Sequence, residues 1–597
     1  MNSTILKRLE MLRKVMADKK IDAFLIPTED FHGSEYVGDH FQCRRYITGF
    51  TGSAGTALVT QNMAGLWTDG RYFQQATMQL EGTSIELFKT GEPGVPTLHE
   101  FIRKTLKSGQ TLGMDGRTVN AGELERFRKE LSPEGIEICN DLDLVGMIWE
   151  DRPPILFGNI FELDEKWCGE RREDKLARIR KAVSEGNADS LLLSSLEDIS
   201  WLLNLRAADY MQSMVVLAYL YLDMNEVILF TDKDALPEGW SDKAGVRVLP
   251  YNDVYRFVRE LPVSSLMMAC GSVNSLLYSS VPDHVRIVER ENPTYRARAI
   301  KNPTEMENMR EAHRKDGVAV TRFIYWLKKN AGKEGVTELS AAGKLFSLRK
   351  EQEHFLCNSF DPIIAYREHG SIIHYSATEE SDVPILAEGM VLADTGGQYL
   401  EGTTDITRTV VVGEVTPEEK LYYTTVLKGH LSLLDAHFRE GCTGLNLDYL
   451  AREPLWRMGK DYNHGTGHGV GYLLNVHEGP NGFRWKMVPE RNDSGVFEEG
   501  MITSDEPGYY EEGKFGIRHE SLLLCRKAEK TETAQFMNFE VLTMVPFDLK
   551  AIELSLLTAR EKDLLNRYHR RVRETILPYL PEEEQEWLIG QTRPVEV

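Results

Sequence analysis

Acidic and imidazole side chains recur along one stretch of the chain, from His374 to Glu520. The residues that could do chemistry there are His374, Asp394, Asp405, His464, His468, His477, Glu506 and Glu520. Each lies beside glycine or at the end of an apolar run, where a strand is expected to meet a turn. Carboxylates and imidazoles without thiolates favour hard or borderline divalent metal ions. The stretch therefore predicts a metal site built on strand ends.

Two pairs of carboxylates share one local arrangement. Asp394 ends the apolar run MVLAD, and Asp405 begins the alternating segment DITRTVVVG after a glycine turn. This spacing predicts adjacent antiparallel strands whose carboxylates point into one pocket. Glu506 in TSDEPGYY and Glu520 in GIRHES are also separated by a glycine-containing turn. We expect both pairs to face one site, with an imidazole from the segment between them.

His464 and His468 are four residues apart, as in the HExxH helix of zinc proteases. Gly-Thr-Gly lies between them and two glycines follow closely, which disfavours a helix. We expect a loop or strand edge there, where the backbone can approach a metal or a substrate.

Four carboxylates and one histidine are more ligands than a single ion usually needs. Two divalent ions about 3.5–4 Å apart would use them, sharing a water whose pKa falls toward neutrality. Such a site can deliver hydroxide to a carbonyl carbon, and amide hydrolysis is the expected reaction.

The composition indicates a large soluble protein with several domains. The chain has 597 residues, 42% of them hydrophobic and 27% charged. A formal charge of −22 argues against nucleic acid or an anionic membrane as a general partner. No apolar run reaches the length of a membrane span, and the N-terminal segment does not have the pattern of a signal peptide. The seven scattered cysteines are expected to be reduced thiols of a cytoplasmic protein.

An internal repeat organises the first half of the chain. Residues 8–26 (RLEMLRKVMADKKIDAFLI) align with 175–193 (KLARIRKAVSEGNADSLLL), a helical stripe followed by an apolar strand. Further on, YITGF at 46–50 resembles WLLNL at 201–205, and LWTD resembles LFTD. We expect YITGF to begin a strand and the two copies to be related α/β domains.

Three other features carry expectations. Asn302 and Pro303 predict the start of a long helix, and Thr337 predicts the cap of a second one. The motifs GFTGSAG and TDGRYF fit neither common phosphate-loop spacing, so ordinary turns are expected. Arg71 is interpreted as a structural arginine, with a reach toward a neighbouring active site as the alternative.

The motifs DTGG, TDITRT, HGTGHGVG, NVHEGP, DEPGYY and GIRHE together resemble the creatinase/methionine-aminopeptidase ("pita-bread") metallopeptidases, in particular those of aminopeptidase P type. The resemblance implies a multidomain α/β (α+β) fold. Two creatinase-like N-terminal domains are expected at 1–155 and 156–296, a pita-bread catalytic domain at 297–535, and a C-terminal helical extension at 536–597.

The same resemblance implies the metal ligands. Asp394 would bind one ion, His468 and Glu506 the other, and Asp405 and Glu520 would bridge them. The two divalent ions would most often be Mn²⁺, with Co²⁺ or Zn²⁺ as alternatives.

Further roles are implied for residues around the metals. His374, His464 and His477 would hold the substrate and assist proton transfer, Glu506 would be the general base, and Arg518 would support the site. His519 and Ser521 depart from the usual motif, where an aliphatic residue and asparagine are common.

The implied activity is that of an Xaa-Pro aminopeptidase, which removes the first residue of a peptide whose second residue is proline. Hydroxide bridging the two metals would attack the Xaa-Pro amide. The alternatives are an Xaa-Pro dipeptidase (prolidase) and a non-catalytic binding module on the same fold. A homodimer in the cytoplasm is the expected state.

Overall fold

A computed structural model describes residues 2–208, 212–488 and 494–597 and divides into two compact units. The first unit comprises residues up to Leu163 together with Arg171–Thr294. The second comprises Asp164–Glu170 and Tyr295–Val597. None of the helices in these described ranges combines the length and apolar character needed to cross a lipid bilayer.

The first unit begins with a six-stranded sheet and its helices. In chain order the elements are α1 (Asn2–Asp18), β1 (Ala23–Pro27), α2 (Cys43–Thr48), β2 (Thr56–Thr60), β3 (Ala64–Thr68), α3 (Phe73–Gln79), β4 (Glu86–Lys89), α4 (Leu98–Thr105), β5 (Thr111–Met114), α5 (Ala121–Leu131) and β6 (Glu137–Cys139). The strand order is β4-β3-β2-β1-β5-β6.

A second sheet follows. Its region contains β7 (Asn159–Glu162), α6 (Glu165–Cys168), α7 (Arg172–Glu185), β8 (Ser190–Leu193), α8 (Leu196–Leu203), β9 (Leu205–Ala208), β10 (Tyr219–Asp223), β11 (Val227–Phe230), α9 (Trp240–Ala244), β12 (Arg247–Leu249), α10 (Asp253–Arg259), β13 (Ser265–Met268), α11 (Ser275–Ser279), β14 (Arg286–Glu289) and α12 (Pro293–Ala299). Of these, α6 and most of α12 belong to the second unit. The strand order is β12-β11-β10-β8-β13-β14.

The two sheets have the same topology. In the first, β1 is antiparallel to β2 and parallel to β5, and β8 has the same relation to β10 and β13 in the second. The aligned residues Leu9 and Leu176 are both buried on the helix before the central strand. The predicted internal repeat of two α/β domains is therefore confirmed.

The expected strand at YITGF is wrong, because Tyr46 and Ile47 lie in α2. Its counterpart WLLNL ends α8 in the second copy. Short apolar runs do not distinguish a strand from a buried helix. Each of the two helices ends at a residue in the left-handed conformation, Gly49 at φ +74° and Asn204 at φ +53°. Such a residue is typical of the C-terminal end of a helix, so it distinguishes these apolar runs from strands.

The second unit contains the two predicted helices and the stretch from His374 to Glu520. Its elements are α13 (Pro303–Asn330), α14 (Glu338–Lys350), β15 (Phe355–Asn358), β16 (Ile363–Tyr366), β17 (Met390–Thr395), β18 (Gly397–Tyr399), β19 (Gly402–Thr403), β20 (Ile406–Val411), α15 (Pro417–Leu434), β21 (His437–Arg439), α16 (Gly444–Trp456), β22 (Gly467–Gly469), β23 (Glu478–Phe483), β24 (Ile502–Asp505), β25 (Gly508–Glu511), β26 (Phe515–Arg518), β27 (Ser521–Lys530), β28 (Gln535–Val541), α17 (Ala559–Ile576) and α18 (Glu582–Gln591).

The predicted caps of these helices are present. Asn302 and Glu305 form a reciprocal capping box at the start of α13, and Thr337 caps α14. Three sheets carry the site: β16-β17-β20, β21-β28-β27-β24-β22-β23, and the hairpin β25-β26.

The C-terminal segment is integrated into the second unit. The boundary expected at 535/536 falls inside β28, which pairs antiparallel with β27. The buried face of α17, including Leu565 and Val572, packs in the same hydrophobic core as Leu427 and Leu431 of α15. Helical structure therefore begins well after the expected boundary.

Candidate active site

The first pair of carboxylates lies on two paired strands, as predicted. Asp394 is near the end of β17 and is opposite Thr407 of β20 in the antiparallel register. Asp405 comes directly before β20. Only glycine fits at Gly396 in the turn between them, because a Cβ there would lie 2.1 Å from the carbonyl oxygen of Thr404.

The second pair has a matching arrangement. Glu506 directly follows β24, and Glu520 directly precedes β27. The two strands are antiparallel, with Asp505 opposite Ser521, so both glutamates leave the same end of the sheet. The hairpin β25-β26 connects them.

His468 lies on strand β22, which agrees with the expectation that this segment is not helical. The neighbouring glycines allow close strand packing, since a Cβ on Gly467 would lie 1.8 Å from the carbonyl oxygen of Ser504. His468 Nδ1 bonds to the Gly469 carbonyl oxygen at 2.9 Å. Its Nε2 is therefore the nitrogen that faces the acids, 3.5 Å from Asp405 Oδ2 and 3.3 Å from Glu506 Oε1.

These residues converge on one point. Donor atoms of Asp405, His468 and Glu520 all lie within 4.8 Å of one another. Asp405 and Glu520 are buried, and the buried oxygens Glu520 Oε1 and Asp394 Oδ1 have no hydrogen-bond partner within the described part of the chain. Such oxygens are costly to leave unpaired and suit a divalent cation.

The acids also perturb one another. Burial, together with the negative charge of Asp394, raises the pKa of Asp405 well above its usual range. Burial and the charges of the neighbouring acids do the same to the pKa of Glu520. Burial raises the pKa of Glu506 to about 7. Packing this many carboxylates together is favourable only when a cation or protons compensate their charge.

Arg518 supplies a fixed positive charge at the edge of this cluster. Its Nη2 donates to Asp394 Oδ2 at 2.6 Å, and its Nη1 donates to the hydroxyl of Tyr510 at 2.7 Å. Tyr510 was missed by the sequence analysis, although it lies within the motif DEPGYY. Because burial raises the pKa of Tyr510 to about 12, its hydroxyl keeps its proton.

Tyr510 connects Arg518 to His464. His464 Nδ1 bonds to the Gly465 carbonyl oxygen at 2.8 Å, which leaves Nε2 to accept from the Tyr510 hydroxyl at 2.8 Å. Burial, and after it the charge of Arg518, lowers the pKa of His464 well below its usual range. His464 is therefore a neutral imidazole with a defined orientation.

The other two histidines lie near the same cluster. The ring of His477 packs edge-on against His468, with centroids 4.1 Å apart. His374 is half-buried and close enough to His464 for its charge to contribute to the lowered pKa of His464. The eight acidic and imidazole residues predicted between His374 and Glu520 therefore lie in one region.

His519 and Ser521, which depart from the usual motif, flank Glu520 at the start of β27. His519 is buried and its Nε2 lies 3.4 Å from the carbonyl oxygen of Tyr423. The hydroxyl of Ser521 is 3.2 Å from His430 Nε2 and accepts from Arg408 Nη2 at 3.3 Å. Both side chains therefore contribute to the packing of β27.

Arg71 belongs to the first unit. Its guanidinium makes a two-pronged contact with Asp69, with both nitrogen–oxygen distances at 2.8 Å, and its side chain is largely buried. This geometry favours the structural interpretation of Arg71.

Family models match four consecutive segments of the chain. Residues 8–149 and 151–305 each match a creatinase/prolidase N-terminal domain, residues 307–527 match metallopeptidase family M24, and residues 535–595 match the C-terminal region of that peptidase family.

The chain is also similar to complete relatives. It is 34% identical to Xaa-Pro aminopeptidase 1 of Dictyostelium discoideum, over 99% of this chain and 97% of that protein. It is 36% identical to aminopeptidase P2 of Arabidopsis thaliana, over 99% of this chain and 88% of that protein.

Among solved structures, an X-prolyl aminopeptidase from Caenorhabditis elegans superposes with a TM-score of 0.93 at 32% identity, covering 99% of this chain and 100% of that one. That protein is described as a cytosolic enzyme with a di-nuclear active site. The fold and the acidic cluster are those of a metallopeptidase with creatinase-type N-terminal domains. The chain belongs to metallopeptidase family M24, which confirms the resemblance inferred from its motifs.

Proposed function

We propose that this protein is an Xaa-Pro aminopeptidase, which removes the N-terminal residue from peptides with proline in second position. The observation that carries the proposal is the likeness over essentially the whole chain to relatives named for this activity. The likeness includes both N-terminal domains and the C-terminal segment, not the catalytic region alone. We assign these segments to 1–155, 156–296, 297–535 and 536–597.

We assign the metal ligands as Asp394, Asp405, His468, Glu506 and Glu520. Asp394 would serve one ion, His468 and Glu506 the other, and Asp405 and Glu520 both. The oxygen-rich donor set and the buried oxygens without partners fit two divalent ions, Mn²⁺ first, with Co²⁺ or Zn²⁺ as alternatives. When bound, the ions would acidify a water and polarise the scissile carbonyl.

Glu506 is our candidate for the general base. Its Oε1 accepts from the Ser504 hydroxyl at 3.2 Å and lies 3.3 Å from His468 Nε2, so the carboxylate is held where the assigned ligands converge. A carboxylate in this position would accept a proton from water and return it to the leaving proline nitrogen.

The histidines are assigned to the substrate. Burial keeps His464 neutral and Tyr510 orients its ring, so Nε2 would hydrogen-bond a peptide group in exchange for the Tyr510 hydroxyl, without adding a positive charge. His374 and His477 are assigned to the same work. Arg518 is assigned as support, because its ion pair fixes the orientation of the Asp394 carboxylate.

We also propose a cytoplasmic homodimer. The C. elegans relative is described as cytosolic. On the second unit, Tyr449, Trp456 and Trp485 form a chain of aromatic contacts although they are 53%, 38% and 50% exposed. A cluster of exposed aromatic side chains is typical of a protein interface.

A cleavage assay tests the function. The purified protein is stripped with a chelator, reloaded with Mn²⁺, Co²⁺ or Zn²⁺, and given Xaa-Pro-Xaa, Xaa-Pro and Xaa-Ala-Xaa peptides. We expect chelation to abolish the release of the first residue from Xaa-Pro-Xaa and metal to restore it, with Xaa-Ala-Xaa left intact. Cleavage of the dipeptide alone would favour a prolidase, and a protein that binds no divalent ion would favour a binding module.

A further inference from the structure

A fully buried ion pair lies behind the first pair of carboxylates. Asp316 of α13 is 0% exposed and Arg349 of α14 is 1% exposed. Arg349 Nε donates to Asp316 Oδ1 at 2.7 Å, and its Nη2 donates to Asp316 Oδ2 at 3.0 Å. This two-pronged geometry holds both side chains in one orientation.

The Asp316–Arg349 pair is hydrogen-bonded to residues on both sides of the turn between Asp394 and Asp405. Arg349 Nη2 also donates to the hydroxyl of Thr395, the residue after Asp394, at 2.9 Å. The hydroxyl of Thr404, the residue before Asp405, donates to Asp316 Oδ2 at 2.6 Å. Both sides of the turn are therefore hydrogen-bonded to the same buried ion pair.

The ion pair also contacts residues that form hydrogen bonds within the turn. The Thr404 hydroxyl accepts from the backbone N–H of Gly397 at 2.9 Å while it donates to Asp316. Tyr399, on the strand within the turn, donates to Asp316 Oδ1 at 3.0 Å. Each oxygen of Asp316 thus accepts two hydrogen bonds, so this buried carboxylate is fully satisfied.

Stability alone is a weak reason for such an arrangement. Apolar residues of similar volume often stabilise a core as well as a buried ion pair does, because they avoid desolvation. What apolar residues cannot do is bind two specific hydroxyl groups and fix the spacing between them.

We propose that Asp316 and Arg349 are positioning residues that set the separation and orientation of the Asp394 and Asp405 carboxylates for metal binding. The inference rests on the proposed function, in which these two carboxylates are metal ligands. It adds that the ligand geometry is imposed from α13 and α14 through Thr395 and Thr404.

The test removes one hydroxyl with little change of shape. Thr404→Val deletes the contact with Asp316 together with the bond from the Gly397 N–H, and Thr321→Val is the matched control. Thr321 is a buried threonine of α13 whose hydroxyl has no hydrogen-bond partner in the part of the chain that the structure describes. Titration calorimetry with MnCl₂ on the metal-free proteins measures affinity, and steady-state kinetics on an Xaa-Pro-Xaa peptide separates kcat from KM.

We expect Thr404→Val to bind Mn²⁺ about 10- to 100-fold more weakly than wild type, the range found for residues that orient metal ligands. At subsaturating Mn²⁺, kcat should fall with KM little changed, because ligand spacing rather than peptide binding is altered. Thr321→Val should bind Mn²⁺ as wild type does. Thr404→Ser, which keeps the hydroxyl, should recover most of the affinity.

Two results would overturn the inference: unchanged Mn²⁺ affinity in Thr404→Val, or a loss that Thr404→Ser does not recover. The unfolding temperature of the metal-free protein shows whether Thr404→Val has a folding defect. If it has, the Mn²⁺ affinity of Thr404→Ser decides whether the hydroxyl contributes to metal binding. The wild-type protein keeps the two proposals apart. If it binds Mn²⁺ but does not cleave Xaa-Pro-Xaa, the proposed function fails while the titration still tests the positioning role.

Discussion

Glu506 provides a direct test of the electrostatics of the site in the absence of metal. Its side chain is 17% exposed and lies beside His468. Burial, with a smaller contribution from the charges of Asp405 and Asp394, raises the pKa of Glu506 from 4.5 to about 7. A change of this size corresponds to about 3 kcal/mol of unfolding free energy.

The sign of the effect follows from proton binding. Because the pKa of Glu506 is higher in the folded protein, the folded state holds this proton more tightly than the unfolded state. The resulting stabilisation is complete below pH 4.5 and is lost as the pH rises through about 7. Glu506→Gln cannot ionise, and its amide oxygen can still accept from Ser504. The metal-free variant should therefore gain up to about 3 kcal/mol on wild type across this window.

The assay is urea unfolding of chelator-treated protein at several pH values between about 4.5 and 8. A chain with two units need not unfold in one step. The transition that Mn²⁺ shifts in wild type therefore identifies the second unit. Glu512→Gln, at an exposed glutamate in the turn of the β25-β26 hairpin, is the matched control and should show no such gain. A difference between Glu506→Gln and wild type that stays constant, or shrinks as pH rises, would refute the reasoning.

Three further outcomes are expected. Tyr510→Phe removes the hydroxyl between Arg518 and His464, and kcat/KM for Xaa-Pro-Xaa should fall about 10- to 100-fold, the range for a hydrogen bond to a charged group; an unchanged value would exclude this link from catalysis. Leu565→Ala should lower the urea unfolding free energy of the second unit by about 2–5 kcal/mol, because Leu565 is fully buried; a loss below about 1 kcal/mol would contradict its core role. Trp485→Ser should weaken the dimer by about 30-fold or more in light-scattering dilution, as for an aromatic hot spot; unaltered association would place the interface elsewhere.

The local part of the site could be predicted from sequence. Glycine beside a polar residue at the end of an apolar run is a signal within a few residues, and it correctly placed Asp394, Asp405 and Glu520 at strand ends. The helix caps at Asn302 and Thr337 were found for the same reason. The internal repeat was visible because both copies keep their buried helix positions.

Contacts between distant segments were not predictable in this way. Tyr510 looks like any aromatic residue on a strand, and its role appears only when β25 pairs with β26 and places it beside Arg518. Asp316 and Arg349 lie within helical segments that carry many other charged residues. Nothing in a single sequence distinguishes them until α13 and α14 pack against the turn.

The contacts between the C-terminal segment and the strands of the site could not be predicted from the sequence either. Arg408, on the strand that follows Asp405, donates to the backbone carbonyl oxygen of Glu520 and, at 2.7 Å, to the hydroxyl of Tyr568 in α17. That hydroxyl in turn donates to the Val545 carbonyl oxygen at 2.8 Å. A buried arginine thus connects both ligand-bearing strands to the last part of the chain. Loss of α17 would remove one hydrogen-bond partner of this buried guanidinium and the core packing beside it, and would therefore disturb the strands of Asp405 and Glu520 together. The segment after residue 535 is therefore part of the support of the site rather than an appendage to it.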